Sequence, residues 1–155
     1  MDMAQVEIRF AADRMLGRLT KWLRIIGQDV IYGPHLSGRG LIRAARAEDR
    51  IILTRNRRLK QSQPPPFVFI QSDDYREQLR QVVKEFGLKP QLFTRCLECN
   101  AELEPRSRES VEGAVPPYVF ATQEKFSSCP ACRRIYWPAT HQQNMFNKLR
   151  SMGLC

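Results

Sequence analysis

Long apolar runs are missing from this sequence: none approaches the roughly 18 residues that a membrane-spanning helix needs. The first residues, Met1 to Gln5, are polar and do not resemble a secretory signal peptide. We therefore expect a cytoplasmic protein with no membrane contact. In such a reducing compartment, cysteines bind metals more often than they form disulfides.

Acidic residues are scarce relative to basic ones. The chain has 16 Asp and Glu against 25 Lys and Arg, and its formal net charge is +9. Residues 1–90 carry +7 of this excess and residues 91–155 carry +2. A basic surface favours a polyanion such as RNA, because each neutralised phosphate releases counterions. Charge alone fits a solubilising surface equally well, whereas an apolar fraction of 43% with charges of both signs excludes a disordered chain.

Apolar segments alternate with amphipathic ones through residues 1–90. The spacing predicts short strands at residues 6–11, 29–32, 51–54 and 67–70. It predicts helices at residues 14–26, at about 41–48, and from the acidic residues 73 and 74 to a stop at Gly87. Strands that alternate with helices indicate an α/β fold with a mostly parallel sheet and helices on both faces.

The pattern changes after Lys89 and Pro90. Regular periodicity fades, cysteine pairs begin, and residues 91–155 contain no Asp. We therefore predict two domains, residues 1–90 and residues 91–155, with a short helix at residues 142–152 near the C-terminus.

Four cysteines form two C-x-x-C pairs, Cys96 with Cys99 and Cys129 with Cys132, and 29 residues separate the pairs. Two such pairs supply four thiolates at the spacing of a closed tetrahedral zinc site. A reducing compartment disfavours disulfides, a redox motif explains only one pair, and iron–sulfur clusters are less typical of paired knuckles. We predict structural Zn²⁺, in a segment that needs the metal to fold.

Carboxylates follow two of the predicted strands. Asp13 follows the first strand, and Asp73 and Asp74 follow the fourth. The carboxyl ends of parallel strands meet at one edge of a sheet, where acids can hold Mg²⁺ or Mn²⁺ for phosphodiester hydrolysis. The local pattern by itself favours a simpler role for Asp73 and Asp74 as caps of the next helix.

Basic and aromatic side chains supply candidate RNA contacts. Candidates for the phosphate backbone are Arg14, Arg18, Lys21, Arg55, Arg57, Arg58 and Lys60. Candidates in the cysteine-bearing segment, where cations mix with aromatic faces that suit unpaired bases, are Arg133, Arg134, Tyr136, Trp137 and His141. Tyr136 and Trp137 are also candidates for packing under the cysteine knuckles.

Several ordered motifs resemble one known family. They are residues 13–19, 22–24, 27–29, 50–55, 78–79, 94–100, 115–118 and 129–132, with Tyr136, Trp137 and His141. Together they are similar, over nearly the whole chain, to the Mut-seven C-terminal RNase domain family. The resemblance implies a PIN-like sheet domain followed by a zinc ribbon, with ribonuclease activity on single-stranded RNA. It also implies that Asp13 is the first metal-binding acid.

Two positions depart from that family's pattern. Asn56 stands where an acid is usual, and Arg39 stands within Ser37 to Gly40, where an Asp-rich helix start is usual. An Asn carbonyl can bind a hard cation but adds no negative charge. Three hypotheses result: a metal-dependent ribonuclease that uses Asp13, Asn56 and Asp73 or Asp74; a catalytically degenerate module that binds RNA or a ribonucleoprotein without cleavage; and a protein–protein adaptor built on the ribbon.

Overall fold

A computed structural model describes residues 7–62, 65–138 and 140–154. Its larger sheet has four parallel strands in the order β2–β1–β3–β4. The strands are β1 (Arg9–Ala12), β2 (Asp29–Ile31), β3 (Ile51–Thr54) and β4 (Phe67–Phe69). Three helices follow β1, β2 and β4 in turn: α1 (Gly17–Ile25), α2 (Gly38–Ala47) and α3 (Tyr75–Phe86). The predicted parallel α/β fold is confirmed.

Side chains of the two central strands alternate between the faces of this sheet. Phe10 of β1 and Leu53 of β3 enter one core, which α1 and α3 cover. Ala11 and Ile52 enter the opposite core, which α2 covers with residues such as Leu41. Both central strands are therefore apolar on both faces, as expected for a parallel sheet between helices.

The cysteine-bearing part contains a small antiparallel sheet in the order β5–β6–β7. Its strands are β5 (Glu104–Arg106), β6 (Phe126–Ser128) and β7 (Ile135–Tyr136), with α4 (Pro117–Thr122) between β5 and β6. The last helix, α5 (Thr140–Ser151), packs against the core of the larger sheet. Its Met145 and Leu149 belong to the core under α1 and α3. This core therefore draws on both sides of the boundary predicted at residue 90, which itself stays a prediction.

The helix after β1 begins later than its spacing indicates. The predicted start was residue 14, but a turn in which the Leu16 N–H donates to the Asp13 carbonyl (2.8 Å) precedes α1. As a result Met15 lies in this turn rather than on the helix, and it is 54% exposed. Among the described residues, no helix has the length and apolarity of a membrane span.

Candidate functional site

Asp13 lies at the carboxyl edge of the parallel sheet, directly after β1. Its N–H donates to the Leu53 carbonyl (2.9 Å), which continues the pairing with β3 and fixes the residue in place. The side chain is buried, and Oδ2 accepts a hydrogen bond from the Thr54 hydroxyl (2.8 Å). Oδ1 is also buried and has no hydrogen-bond partner among the described residues. An unpaired buried carboxylate oxygen is costly, so this atom fits an ion or a water as its partner.

Asn56, the predicted neutral metal ligand, lies in the loop after β3. Its N–H donates to the Thr54 hydroxyl (3.0 Å), so Thr54 connects this loop to Asp13. The Asn56 side-chain oxygen accepts from the Arg58 N–H (3.0 Å) and caps the 3-10 turn at Arg57–Ser62. To bind an ion through its carbonyl, Asn56 has to compete with this cap. Arg39 is exposed in the first turn of α2.

Asp74 caps α3, since its Oδ1 accepts from the Arg76 N–H at 2.8 Å. Asp73 and Asp74 line a groove of about 480 Å³. Arg18 of α1 lies in the same groove and stacks on the Tyr75 ring, with its Cζ 4.1 Å from the ring centroid. In the described part of the chain, the acids do not form a group of three that could share one metal ion. The roles of Asp13, Asp73 and Asp74 as metal ligands therefore stay predictions.

The predicted RNA-contacting cations divide among several surfaces. Arg14, Arg57 and Arg58 are exposed. Arg55 is half-buried, and its Nε donates to the Ile70 carbonyl (3.3 Å). Arg18 and Lys21 line two different cavities. The side chains of Lys60 and His141 lie outside the described residues.

The four predicted zinc ligands converge. The Sγ atoms of Cys96, Cys99, Cys129 and Cys132 all lie within 4.8 Å of one another, and Cys96 and Cys132 are 3.7 Å apart. A tetrahedral site with Zn–S bonds of about 2.3 Å has S···S separations of about 3.8 Å. The geometry and the donor set therefore fit one structural metal ion such as zinc.

The two cysteine knuckles repeat the same backbone geometry. The N–H groups of Asn100 and Arg133 donate to the carbonyls of Cys96 (2.9 Å) and Cys129 (2.8 Å). Both residues have positive φ, 68° for Asn100 and 64° for Arg133. In the second knuckle, the N–H of Cys132 also donates to the Cys129 sulfur (3.4 Å). Each C-x-x-C pair is therefore followed directly by a residue with left-handed backbone, where the chain turns.

The surroundings of the Cys96 thiol favour its ionised form. Burial alone raises its pKa, but the Tyr136 hydroxyl at 3.1 Å and backbone N–H groups of the knuckle favour the thiolate and lower the pKa to about 7. Metal binding needs the thiolate, so these contacts support the metal site. The contact also places the Tyr136 hydroxyl against the knuckle, as predicted for packing there, while the half-buried ring still lines a cavity. Trp137 packs on Phe126, with ring centroids 6.5 Å apart.

The first knuckle is bonded to the parallel sheet. Arg24 of α1 is 6% exposed, and its guanidinium donates to the carbonyls of Val30 (2.8 Å) and Leu97 (2.8 Å). Burial lowers the pKa of Arg24, although nearby Cys96 and Cys99 act in the opposite direction. Asn100 accepts from the Val30 N–H (2.9 Å) and donates to Asp29 Oδ1 (2.6 Å). Arg24 and Asn100 thus join β2 to the knuckle.

Sequence reasoning did not assign this role to Arg24 or Asn100. Both stand within the motifs that carry the family resemblance, and that was the available signal. The Asp29 carboxylate accepts hydrogen bonds from Arg50 (2.7 Å) and from Asn100. Its place at the start of β2 is therefore explained by these contacts.

Comparison with known proteins agrees with this arrangement. The sequence matches the family described as "Mut7-C RNAse domain" over residues 8–149, which include the parallel sheet, the four cysteines and most of α5. No curated protein and no solved structure gives a significant match. RNA is the partner that an RNase domain family implies. Since the match covers nearly the whole chain, this protein belongs to the Mut7-C RNAse domain family.

Proposed function

We propose that this protein binds single-stranded RNA across the carboxyl edge of its parallel sheet and hydrolyses it with a divalent ion held by Asp13. The observation that carries the proposal is the buried Oδ1 of Asp13, which has no hydrogen-bond partner among the described residues. It lies where parallel α/β sheets bind their ligands. The family match supports RNA as the substrate.

The acids available at this edge match a weak ion site. Mg²⁺ or Mn²⁺ bound there supplies an activated water and offsets the charge of the phosphate. Asp13 contributes the buried carboxylate, and Asp73 or Asp74 is the candidate for a second one, although Asp74 also caps α3. Asn56 adds no charge, so we expect lower ion affinity than in a site with four acids.

The cations near the edge suit the RNA backbone. Arg14 directly follows Asp13, and Arg57 and Arg58 follow the loop after β3; all three are exposed. Exposed guanidinium groups hold phosphates without reading the base sequence. We therefore expect binding that depends strongly on salt and weakly on RNA sequence.

An RNA degradation assay tests the proposal. Wild type and Asp13→Asn are incubated with end-labelled single-stranded RNA and Mn²⁺. We expect the substitution to slow degradation by at least about 100-fold, because even partners outside the metal's ligand shell contribute 10- to 100-fold. Asp49→Asn is the matched control, since Asp49 is exposed and lies before β3, at the opposite edge. Equal degradation by wild type and Asp13→Asn would contradict the proposal.

A second candidate is an RNA-binding module that does not cleave. Two observations favour it: the Asn56 oxygen is occupied by the Arg58 N–H, and the described acids do not gather in a group of three. This candidate predicts salt-dependent RNA binding without degradation in the same assay. The third hypothesis, a protein–protein adaptor, predicts no salt-dependent RNA binding.

A further inference from the structure

A cavity of about 630 Å³ lies between α1 and the cysteine-bearing part of the chain. We name it the junction cleft and define it by Thr20, Lys21, Tyr32, Arg134, Tyr136 and Trp137. Its volume falls within the roughly 300–1,000 Å³ of small-molecule sites. Arg24 of α1, which also lines the cleft, donates to the Leu97 carbonyl of the first knuckle (2.8 Å), so α1 is bonded to the part of the chain that forms the other wall.

Basic side chains dominate the charged lining of the junction cleft. Four cations, Lys21, Arg24, Arg95 and Arg134, face one acid, Glu98. Arg24 and Arg95 are buried and bound to backbone carbonyls, and Arg95 also pairs with Glu102 at 3.4 Å, so neither is available to contact a ligand. Lys21 and Arg134 are exposed and within reach of a ligand. Arg134 pairs with Glu98 at 3.6 Å, but such an exposed pair is weak, so a phosphate can replace Glu98.

Aromatic rings form other parts of the wall. Tyr32 is 39% exposed, and Tyr136 and Trp137 are half-buried. The Tyr136 hydroxyl contacts Cys96, which holds the ring in place. Aromatic rings beside cations are the means by which proteins bind unpaired bases, because every base offers a π-face. The lining thus matches a nucleotide better than a purely apolar or purely anionic ligand.

The junction cleft opens beside the edge that carries Asp13. Tyr32 directly follows β2, whose Ile31 pairs with Ala11 of β1. The Tyr32 hydroxyl donates to the carbonyl of Arg14 (2.6 Å), the residue after Asp13. A strand of RNA that crosses the Asp13 edge can therefore continue past Tyr32 into the cleft.

From this placement we infer that the junction cleft binds one unpaired nucleotide of the RNA strand that crosses the Asp13 edge. Lys21 and Arg134 contact its phosphates, and the rings of Tyr32 and Tyr136 stack on its base. The inference rests on the proposed function, because it assigns a second contact for the same RNA. It makes the cysteine-bearing part a contributor to RNA binding.

The test measures binding without cleavage. All variants carry Asp13→Asn, and a fluorescent ten-nucleotide uridine oligomer is titrated by anisotropy at several salt concentrations. We expect Lys21→Gln with Arg134→Gln to weaken binding at least about tenfold and to lower the salt slope by about 1.4, at roughly 0.7 for each lost phosphate contact. The matched control is Lys84→Gln with Arg43→Gln, which removes equal charge from exposed positions on α3 and α2. The control should change affinity by less than about twofold.

Two further results separate the cleft from the proposed function. Oligomers with 4-thiouridine should crosslink to Tyr32 or Tyr136 under near-ultraviolet light, as mapped by mass spectrometry. If RNA binds with a steep salt dependence but the cleft variants match the control and no crosslink falls in the cleft, the cleft inference is wrong and the proposed function stands. If the oligomer does not bind any of the proteins, both are wrong. Bound zinc and the thermal midpoint of each variant confirm that it is folded.

Discussion

The Asp29 carboxylate has a structural role, because it accepts hydrogen bonds from Arg50 and Asn100. Burial alone would raise its pKa, but hydrogen bonds from Arg50 and Asn100 outweigh burial and lower it. The carboxylate form is thus preferred in the folded chain. It stabilises the fold above the ordinary Asp pKa of about 3.9, and this stabilisation is lost as the pH falls through the lower folded-state pKa.

We therefore predict that Asp29→Asn lowers the free energy of unfolding at pH 7 by about 1.5–3 kcal/mol, the range for hydrogen bonds to charged groups. The difference from wild type should begin to shrink below about pH 4, where the carboxylate of the unfolded chain takes up a proton, and should vanish only below the lower folded-state pKa. Urea denaturation at pH 7, 5 and 3.5 measures it. Acid also releases zinc, but from both proteins, so the difference between them isolates Asp29.

Glu48→Gln is the matched control for this prediction. Glu48 binds the same Arg50, at 3.1 Å, but its side chain is 48% exposed. Exposed ion pairs contribute about 0–1 kcal/mol. We expect a change within that range. If the free energy of unfolding differs between wild type and Asp29→Asn by the same amount at pH 7 and at pH 3.5, the Asp29 charge does not stabilise the fold.

At the scale of elements, the two knuckles place different residues in the same strained position. Left-handed backbone costs an ordinary residue about 1–2 kcal/mol, whereas glycine adopts it freely. Arg133 is exposed in this conformation, while Asn100 is buried and bonds to Val30 and Asp29. The same substitution at these two sites should therefore have opposite effects.

We predict that Arg133→Gly leaves stability unchanged or raises it by up to about 1 kcal/mol, because relief of strain exceeds the added freedom of the unfolded chain. Asn100→Gly should cost about 1–3 kcal/mol, because the buried Val30 N–H loses its acceptor. Urea denaturation in saturating zinc measures both. A loss of similar size at both positions would mean that knuckle geometry, rather than the Asn100 side chain, determines the outcome.

The sequence was sufficient for elements whose signal is local. Strand β3 was predicted to the residue because three consecutive apolar residues and a threonine precede a basic loop, and Asp13 was placed at the sheet edge because it follows the first strand. The cysteine cluster followed from spacing. Arg24 could not be placed from the sequence, because its partner Leu97 lies 73 residues away. The hydrogen bond from the Arg58 N–H to the Asn56 oxygen could not be predicted either, because the sequence does not distinguish an Asn that caps a turn from one that binds an ion.

At the scale of the whole molecule, metal binding and sheet folding are coupled through shared side chains. Leu97, inside the first knuckle, packs against the core under α1 and α3, and Met145 and Leu149 of α5 lie within it. Burial of a Leu or Met side chain contributes about 1.5–3 kcal/mol. Several such residues from the cysteine-bearing part are comparable to the total stability of about 5–15 kcal/mol of a domain. Loss of the metal should therefore lower the stability of the parallel sheet.

The two tryptophans report on the two sides of this coupling. Trp22 lies in the core under α1, stacked on Tyr75, and Trp137 packs on Phe126 beside β7. Trp137→Phe leaves the first reporter and Trp22→Phe leaves the second, since the chain has two Trp. With zinc bound, we expect both reporters to give the same urea midpoint, as for one cooperative unit.

We predict that a chelator lowers the midpoint reported by Trp137 most, because binding of a structural zinc contributes on the order of 10 kcal/mol to the folding of its segment. The free energy of unfolding reported by Trp22 should fall by at most about 3 kcal/mol, the value for full burial of one Leu side chain, because the released knuckle withdraws the half-buried Leu97 from the core. Arg24→Met cuts the bonds between α1 and the knuckle, so in that variant the chelator should affect Trp22 less. If the Trp22 midpoint is unchanged by the chelator, the two parts fold independently and the boundary at residue 90 separates two autonomous domains.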